Sequence, residues 1–166
     1  NIDYRYGSGS KYNGPKIAGK DILADFGVNL QAIAVSGRPY TATLVPQELG
    51  GVGFKGELNG ARRPWTFTLN LRVDKSFKIA NGLNANAYVR VSNLLDRENI
   101  LGVYSATGSA YDDGYLVSSI GRNQLEGIES STREVQSYIA SYQWRLLSPG
   151  SFSLPRRIFA GLIFNF

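Results

Sequence analysis

The chain has 166 residues, a net charge of +5, and no cysteine, histidine or methionine. The absence of Cys and His excludes the usual zinc and copper ligands, the cysteine and serine–histidine nucleophile systems, and a histidine pH switch. No stretch approaches the roughly 18 consecutive apolar residues of a membrane-spanning helix. The cations are dispersed except for two arginine doublets, so no nucleic-acid partner is expected. The chain begins with Asn rather than Met, which indicates a processed product or a fragment.

Alternation of apolar and polar residues is the dominant pattern along the chain. It predicts strands at about 22–40, 62–79, 83–98 and 156–166, and NIDYRY at the start as the end of a fifth. In the second of these, apolar side chains take every second place from Trp65 to Phe77, with Lys75 as the one exception. The last strand is the least regular, because Phe159 and Ile163 fall on its polar face. The chain is therefore predicted to be all-β, with antiparallel strands.

Strand length and loop length carry further information. The predicted strands exceed the usual five or six residues of a globular sheet and match the roughly 9–11 residues that a tilted strand needs to cross a bilayer. Asn81–Gly82 predicts a tight hairpin turn between the second and third strands, whereas long segments connect the others. Short turns on one side and long loops on the other are typical of outer-membrane barrels. A soluble β-sandwich also alternates apolar and polar residues, so alternation alone leaves both classes open.

The longest connection, about residues 100–155, is predicted to carry one short helix. Glu134 follows Ser131 by three residues, the spacing of a capping box, and apolar residues then recur at helical spacing to Leu146. A helix is therefore expected at about 132–146, ended by Pro149 and Gly150. Asp112 and Asp113 favour a solvated turn over a calcium site, because no spaced series of ligands follows them.

Several motifs resemble a known family. "VRVSNLLDREN" at 89–99 resembles the Val-x-Asn-Leu-x-Asp motif near the end of TonB-dependent outer-membrane receptors, filled here by Val91, Asn93, Leu94 and Asp96. "SGRPYT" at 36–41 and the ending "SLPRRIFAGLIFNF" are similar to the Oar-like, carboxypeptidase-regulatory-domain-containing branch of Bacteroidota. "ATGSAYDDGYL" and "YQWRLLSPGSFSLPRR" resemble the last extracellular loop of that branch. The resemblance runs over nearly the whole chain.

The resemblance implies a transmembrane β-barrel of about 22 strands with a plugged lumen. Residues 1–166 would be its C-terminal segment of about 4–5 strands, because so few strands cannot close a barrel alone. The rest of the barrel and the plug are then partners of this segment. In such a barrel the final strand closes the wall, and its ending is the signal for barrel assembly. The residues expected to face lipid and carry that signal are Leu162, Phe164 and Phe166.

The function implied is that of a TonB-dependent receptor in the bacterial outer membrane. It would transport a substrate actively, with energy from an inner-membrane coupling protein that acts through the missing N-terminal part. This segment would itself have no catalytic residues, metal or cofactor, and Glu126, Glu129 and Glu134 are expected to be solvated. One alternative is an outer-membrane scaffold that binds a surface lipoprotein or other partner through the long loop. A second alternative is a soluble β-sandwich binding module.

Three further sets of side chains are candidates for contacts. Arg62, Arg63, Arg156 and Arg157 are expected at the outer rim, where lipopolysaccharide phosphates lie and where bidentate contacts suit arginine. The polar strand residues are expected to line the lumen and hold the plug: Asp25, Asn29, Gln31, Asn70, Arg72, Asp74, Asn86, Tyr88 and Arg90. The loop aromatics are candidates for contact with an extracellular ligand or partner: Tyr104, Tyr111, Tyr115, Tyr138, Tyr142 and Trp144.

Overall fold

The computed structural model describes residues 1–80, 82–131 and 134–166. The strands in these residues are β1 (Ile2–Arg5), β2 (Lys16–Ile17), β3 (Lys20–Asp21), β4 (Phe26–Val35), β5 (Pro39–Tyr40), β6 (Ala61–Arg62), β7 (Thr66–Ala80), β8 (Leu83–Ser92) and β9 (Arg157–Asn165). The helices are α1 (Ser119–Ser130) and α2 (Val135–Leu146). Short 3-10 turns lie at Gly9–Lys11, Gln47–Leu49 and Pro149–Ser151.

Five strands form one antiparallel sheet in the order β1-β4-β7-β8-β9. The predicted antiparallel sheet is therefore confirmed, and NIDYRY supplies its fifth strand. The predicted strand at 22–40 is shorter than expected, because the extended backbone of β4 ends at Val35 and resumes only at Pro39. Within the described part of the chain the sheet is open, with β1 and β9 at its edges.

The alternating sequence gives this sheet two chemically different faces. Along β8 and β9, apolar residues pair with apolar residues, as in Val89 with Ala160 and Ala87 with Leu162. Lys75, the exception in the pattern of β7, donates a hydrogen bond from its Nζ to the backbone carbonyl of Ile22. A charge on the apolar face is thus accommodated by a backbone acceptor.

The chain divides into two compact units. Unit 1 comprises residues 1–34, 67–97 and 154–166, and it holds most of the five-stranded sheet and the small β2–β3 pairing. Unit 2 comprises residues 35–66 and 98–153, and it holds the β5–β6 pairing and both α-helices. Ala110, Tyr142 and Leu146 are buried in unit 2. The segment predicted as one long loop is therefore part of a packed unit.

Two helices occur where one was predicted, so the all-β class is too narrow. α1 was not predicted; it begins after Ser118, whose hydroxyl accepts a hydrogen bond from the Gly121 N–H at 3.0 Å. α2 matches the body of the predicted helix, but the expected capping box is wrong. Ser131 ends α1 instead, and Glu134 precedes α2 without a side-chain capping bond.

Some predictions fall on undescribed residues. The first two positions of the helix predicted at 132–146, and Asn81 of the predicted hairpin turn, lie outside the described residues. The strands flanking that turn do pair, with Ala80 opposite Leu83. No helix in the described ranges has the length and apolar character needed to cross a membrane.

Candidate functional site

The apolar face of the sheet in unit 1 is largely uncovered within its own unit. Ile158 is 66% exposed, Leu162 60% and Phe164 49%, and Phe166 is fully exposed. All three side chains predicted to face lipid are therefore accessible. Side chains of this size are usually buried in a soluble domain, so an apolar face of this extent indicates a surface that contacts something else.

The opposite face carries a hydrogen-bonded polar network centred on Asp74. This carboxylate is only 7% exposed. Arg5 donates to both of its oxygens, at 3.1 Å and 2.9 Å, and the Asn86 side-chain amide donates at 3.1 Å. A guanidinium nitrogen that donates to both oxygens, together with an amide donor, satisfies this nearly buried carboxylate. We call Arg5, Arg72, Asp74, Ser76 and Asn86 the Asp74 network.

A glycine makes this network possible. Arg5 lies on β1 and Asp74 on β7, with β4 between them, and the residue of β4 opposite Arg5 is Gly27. A Cβ at Gly27 would lie 2.6 Å from Arg5 Nη2. The arginine reaches across the middle strand through the space that the missing side chain leaves.

The network continues along the same face. Arg72 Nε lies 3.9 Å from Asp74, and the Arg72 guanidinium lies 4.8 Å from the centre of the Tyr88 ring. The Asn86 side-chain amide also donates to the Ser76 hydroxyl at 3.0 Å, while its own Oδ1 is buried without a partner. A depression of about 450 Å³ lies over these groups. Its walls include positively charged, negatively charged and amide side chains, which can bind a polar molecule.

The structure places most of the predicted lumen-facing residues on this face. The Asn70 side-chain amide donates to the Gln31 side-chain oxygen at 3.2 Å, and the Arg90 guanidinium lies 4.8 Å from the centre of the Phe159 ring. Asp74 on β7 lies directly opposite Tyr88 on β8 in the strand register. Asp25 lies just before β4 with a positive φ of 55°. Arg5 and Ser76 were not among the predicted lumen-facing residues, although alternation along the sequence already puts both on the polar side of their strands.

The family-motif residues lie at the end of β8, where Val91 is still in the strand, and in the turn that follows it within unit 1. Asn93 is 5% exposed and has a φ of +55°, a conformation that asparagine tolerates. Its side-chain amide donates to the carbonyls of Arg97 and Leu154, and its oxygen accepts from the Arg97 N–H. The Asp96 carboxylate accepts from the Arg156 N–H at 2.7 Å. The motif thus ties the end of β8 to the segment that leads into β9.

Unit 2 contains a tyrosine cluster around a buried carboxylate. The Tyr142 hydroxyl donates to Asp113 at 2.7 Å, and the Tyr142 ring stacks on Tyr115 with centroids 5.3 Å apart. Tyr138 lies against the same ring at 6.3 Å, and the Arg145 guanidinium lies 4.7 Å from its centre. Burial and the hydrogen bond to Asp113 raise the pKa of Tyr142 well above its usual range. Tyr142 is therefore a neutral, structural donor rather than a freely accessible contact.

The remaining loop aromatics lie elsewhere in unit 2. Tyr111 packs against Phe152 with centroids 5.2 Å apart, and Tyr104 donates to the Leu146 carbonyl at 2.7 Å. Trp144 is 75% exposed. The predicted contact set therefore divides into a packed group and exposed single residues, and its role in ligand contact stays a prediction.

The Asp112–Asp113 segment is a turn, but the expectation of a solvated one is wrong for Asp113. Asp113 is only 2% exposed, because its carboxylate accepts from both the Tyr142 hydroxyl and the Tyr115 N–H. Asp112 accepts from the Gly114 N–H at 2.8 Å. Among the described residues, no group of three or more acidic side chains is placed to hold a metal ion.

The two arginine doublets fall in different units. Arg62 and Arg63 belong to unit 2, and Arg156 and Arg157 to unit 1. The Arg157 guanidinium lies 5.7 Å from the Phe159 ring. The expected contact of the two arginine doublets with lipopolysaccharide stays a prediction.

Comparison with protein-family models, with curated proteins and with solved structures finds no match to this chain.

Proposed function

We propose that these residues form part of the wall of an outer-membrane β-barrel of the TonB-dependent receptor type, which takes up a substrate actively through a plugged lumen. The observation that carries the proposal is the open antiparallel sheet with one exposed apolar face and one hydrogen-bonded polar face. This is the arrangement that a barrel wall needs between lipid and a polar interior.

The energetics favour lipid as the contact of the apolar face. Leaving a large apolar side chain in water instead of burying it forgoes roughly 1.5–3 kcal/mol. Ile158, Leu162 and Phe164 on β9 are all about half or more exposed. Several such side chains on one face make contact with hydrocarbon strongly favourable.

The open edges favour a larger barrel. β1 and β9 each have one neighbour among the described strands. In a bilayer the unpaired N–H and C=O groups of such edges would each cost several kcal/mol. Further strands, from the same polypeptide or from other chains, would remove that cost by pairing with β1 and β9.

The polar face would then line the lumen. The Asp74 network supplies guanidinium, carboxylate and amide groups there. Such groups suit hydrogen bonding to a plug or to a polar solute. The segment supplies no chemistry of its own in this proposal, and the energy comes from an inner-membrane partner.

The proposal is tested by labelling adjacent residues of one strand. Ala32 and Gln31 are both exposed and lie on opposite faces of β4. Because these 166 residues contain no cysteine, Ala32→Cys and Gln31→Cys each add one labelling site to them. In isolated outer membranes, a lipid-borne quencher should reduce the fluorescence of the Ala32→Cys label and spare that of Gln31→Cys. A water-soluble quencher should do the reverse, and equal aqueous quenching of both labels would refute the membrane wall.

A second measurement separates a barrel segment from a small independent protein. The polypeptide is extracted from its native membrane in detergent and its intact mass is measured. A mass several times that of these residues supports the larger barrel. A mass equal to theirs leaves a barrel assembled from several chains, or a soluble module if no detergent is needed.

An outer-membrane scaffold is a second candidate function. Val117, Ile120 and Trp144 in the helical part of unit 2 are 64%, 54% and 75% exposed. Exposed apolar residues of this size suit contact with a partner protein. Uptake that depends on the inner-membrane energy source would support transport, and its absence together with a stable surface complex would support the scaffold.

The soluble β-sandwich is the weakest alternative. A sandwich needs a second sheet over the apolar face. In the described ranges the other two sheets have only two strands each. Full solubility of the chain without detergent would favour this alternative over both membrane hypotheses.

A further inference from the structure

Unit 2 contains a basic cleft that none of the functions above requires. Its volume is about 300 Å³. The residues that line it are Val35, Ser36, Gly37, Arg38, Arg63, Pro64, Thr66, Ile100 and Leu101. These nine include two arginines and two hydroxyl side chains and no carboxylate. The residues that line the cleft can therefore supply hydrogen-bond donors and positive charge, and the others among them are mostly apolar.

The cleft is built by a close backbone contact. The Arg63 N–H donates to the Arg38 carbonyl at 3.1 Å, and the Arg62 guanidinium reaches the Gly37 carbonyl at 3.5 Å. A Cβ on Gly37 would lie 1.5 Å from the Arg63 carbonyl oxygen. Only glycine allows the two segments to lie this close, which sets Arg38 and Arg63 beside one cleft.

The positive charge of the cleft is not neutralised by neighbours. No ion pair found among the described residues involves Arg38, Arg62 or Arg63. Arg63 donates from Nη1 to the Leu101 carbonyl, and its Nε is buried without a hydrogen-bond partner. A buried donor without an acceptor costs free energy, so an oxyanion that reaches it is favoured.

We propose that this cleft binds a phosphate monoester group between Arg38 and Arg63. Two guanidinium groups match a group that carries nearly two negative charges at neutral pH, and arginine forms planar bidentate contacts with phosphate oxygens. The Ser36 and Thr66 hydroxyls supply further donors, while Pro64 and Ile100 contact an apolar substituent. The inference is independent of whether the sheet lies in a membrane.

Binding is measured by calorimetric titration of the purified chain in detergent with inorganic phosphate at constant ionic strength. Saturable binding to the natural chain is expected. Arg38→Gln should weaken it by about tenfold or more, because it removes a charge-assisted contact. Arg122→Gln is the matched control: it removes an exposed arginine of α1, outside the cleft, and should change the affinity less than twofold. Acetate at the same ionic strength should bind much more weakly.

Two further arms complete the test. Arg63 also donates a hydrogen bond to the Leu101 carbonyl, so the substitution used here is Arg63→Lys, which keeps the positive charge. If this variant folds and binds phosphate more weakly, the result supports a bidentate contact between the Arg63 guanidinium and phosphate. Phosphatidic acid in mixed micelles should displace inorganic phosphate if a lipid headgroup is the ligand, with phosphatidylcholine as control; lack of displacement indicates a free phosphate compound. No saturable phosphate binding, or equal affinity in Arg38→Gln and the natural chain, would overturn the proposal.

Discussion

Replacement of Asn93 by alanine should destabilise unit 1 strongly, because this one residue makes several hydrogen bonds and also has a positive φ. Asn93 makes three side-chain hydrogen bonds within 3.2 Å, two to Arg97 and one to Leu154, and is 5% exposed. Each such bond contributes about 1 kcal/mol. Its φ of +55° adds about 1 kcal/mol when alanine must adopt it. Asn93→Ala should therefore lower the free energy of unfolding by about 4 kcal/mol.

Two companion variants separate the terms of this sum. Asn93→Gly keeps the backbone conformation and loses only the hydrogen bonds, so it should cost about 3 kcal/mol. Asn84→Ala is the control, because Asn84 is an exposed asparagine of β8, the strand that Asn93 follows. It should change stability by less than about 0.5 kcal/mol.

The assay is urea unfolding of the purified chain in one detergent, followed by circular dichroism. The order of midpoints should be Asn84→Ala, then Asn93→Gly, then Asn93→Ala, from most to least stable. A midpoint for Asn93→Ala equal to that of Asn84→Ala would refute the reasoning. The Val-x-Asn-Leu-x-Asp turn would then not hold β8 to the segment before β9.

Three other substitutions probe separate features. Asp74→Asn should lower the free energy of unfolding by about 1–2 kcal/mol, less than a fully buried ion pair would, because its partner Arg5 is half exposed. Asp3→Asn, on the exposed strand β1, is the control and should be near neutral in the same unfolding assay. Stability should fall as pH rises above about 10, because unfolded tyrosine loses its proton there while the raised pKa of Tyr142 keeps the folded form protonated; Tyr142→Phe should show a shallower fall in thermal melts. Gly37→Ala should destabilise the fold and abolish phosphate binding, because its Cβ would overlap a backbone oxygen, whereas Gly127→Ala in α1 meets no neighbour and should stabilise by about 0.5–1 kcal/mol.

The strands could be predicted because the signal that specifies them is local. Alternation identifies β4, β7, β8 and β9 from neighbouring residues alone. Lys75 interrupts that pattern, yet β7 continues through it. The backbone carbonyl that accepts its hydrogen bond belongs to Ile22, which is distant in sequence. A single charge on an apolar strand face is therefore weak evidence against a strand.

Of the two helices of unit 2, α2 was predicted from the sequence and α1 was not. α1 contains Gly121 and Gly127, which weaken a helical pattern, and its cap is Ser118. The predicted capping residue, Ser131, instead lies at the C-terminal end of α1. A serine with a glutamate three residues later thus also occurs where one helix stops and another follows. Helix termini need the neighbouring elements as well as the local spacing.

The Asp74 network could not be predicted as a unit. Arg5 and Asp74 are 69 positions apart and lie on strands that are not adjacent. Sequence alternation puts each of them on the polar face, but only the strand order brings them together across Gly27. The same holds for the basic cleft, where Arg38 and Arg63 meet because β5 pairs with β6.

The reach of Arg5 over Gly27 has a consequence for how the edge of the sheet finds its alignment. β1 has four residues, all exposed, so burial does little to fix its register. A slip of one residue would turn Arg5 to the apolar face. A slip of two residues would place Arg5 opposite Asp25 or Asn29 instead of Gly27. A side chain would then stand where glycine now leaves room for the arginine. One ion pair therefore selects a single alignment for a strand that otherwise has several, and it does so only once β7 has joined the sheet.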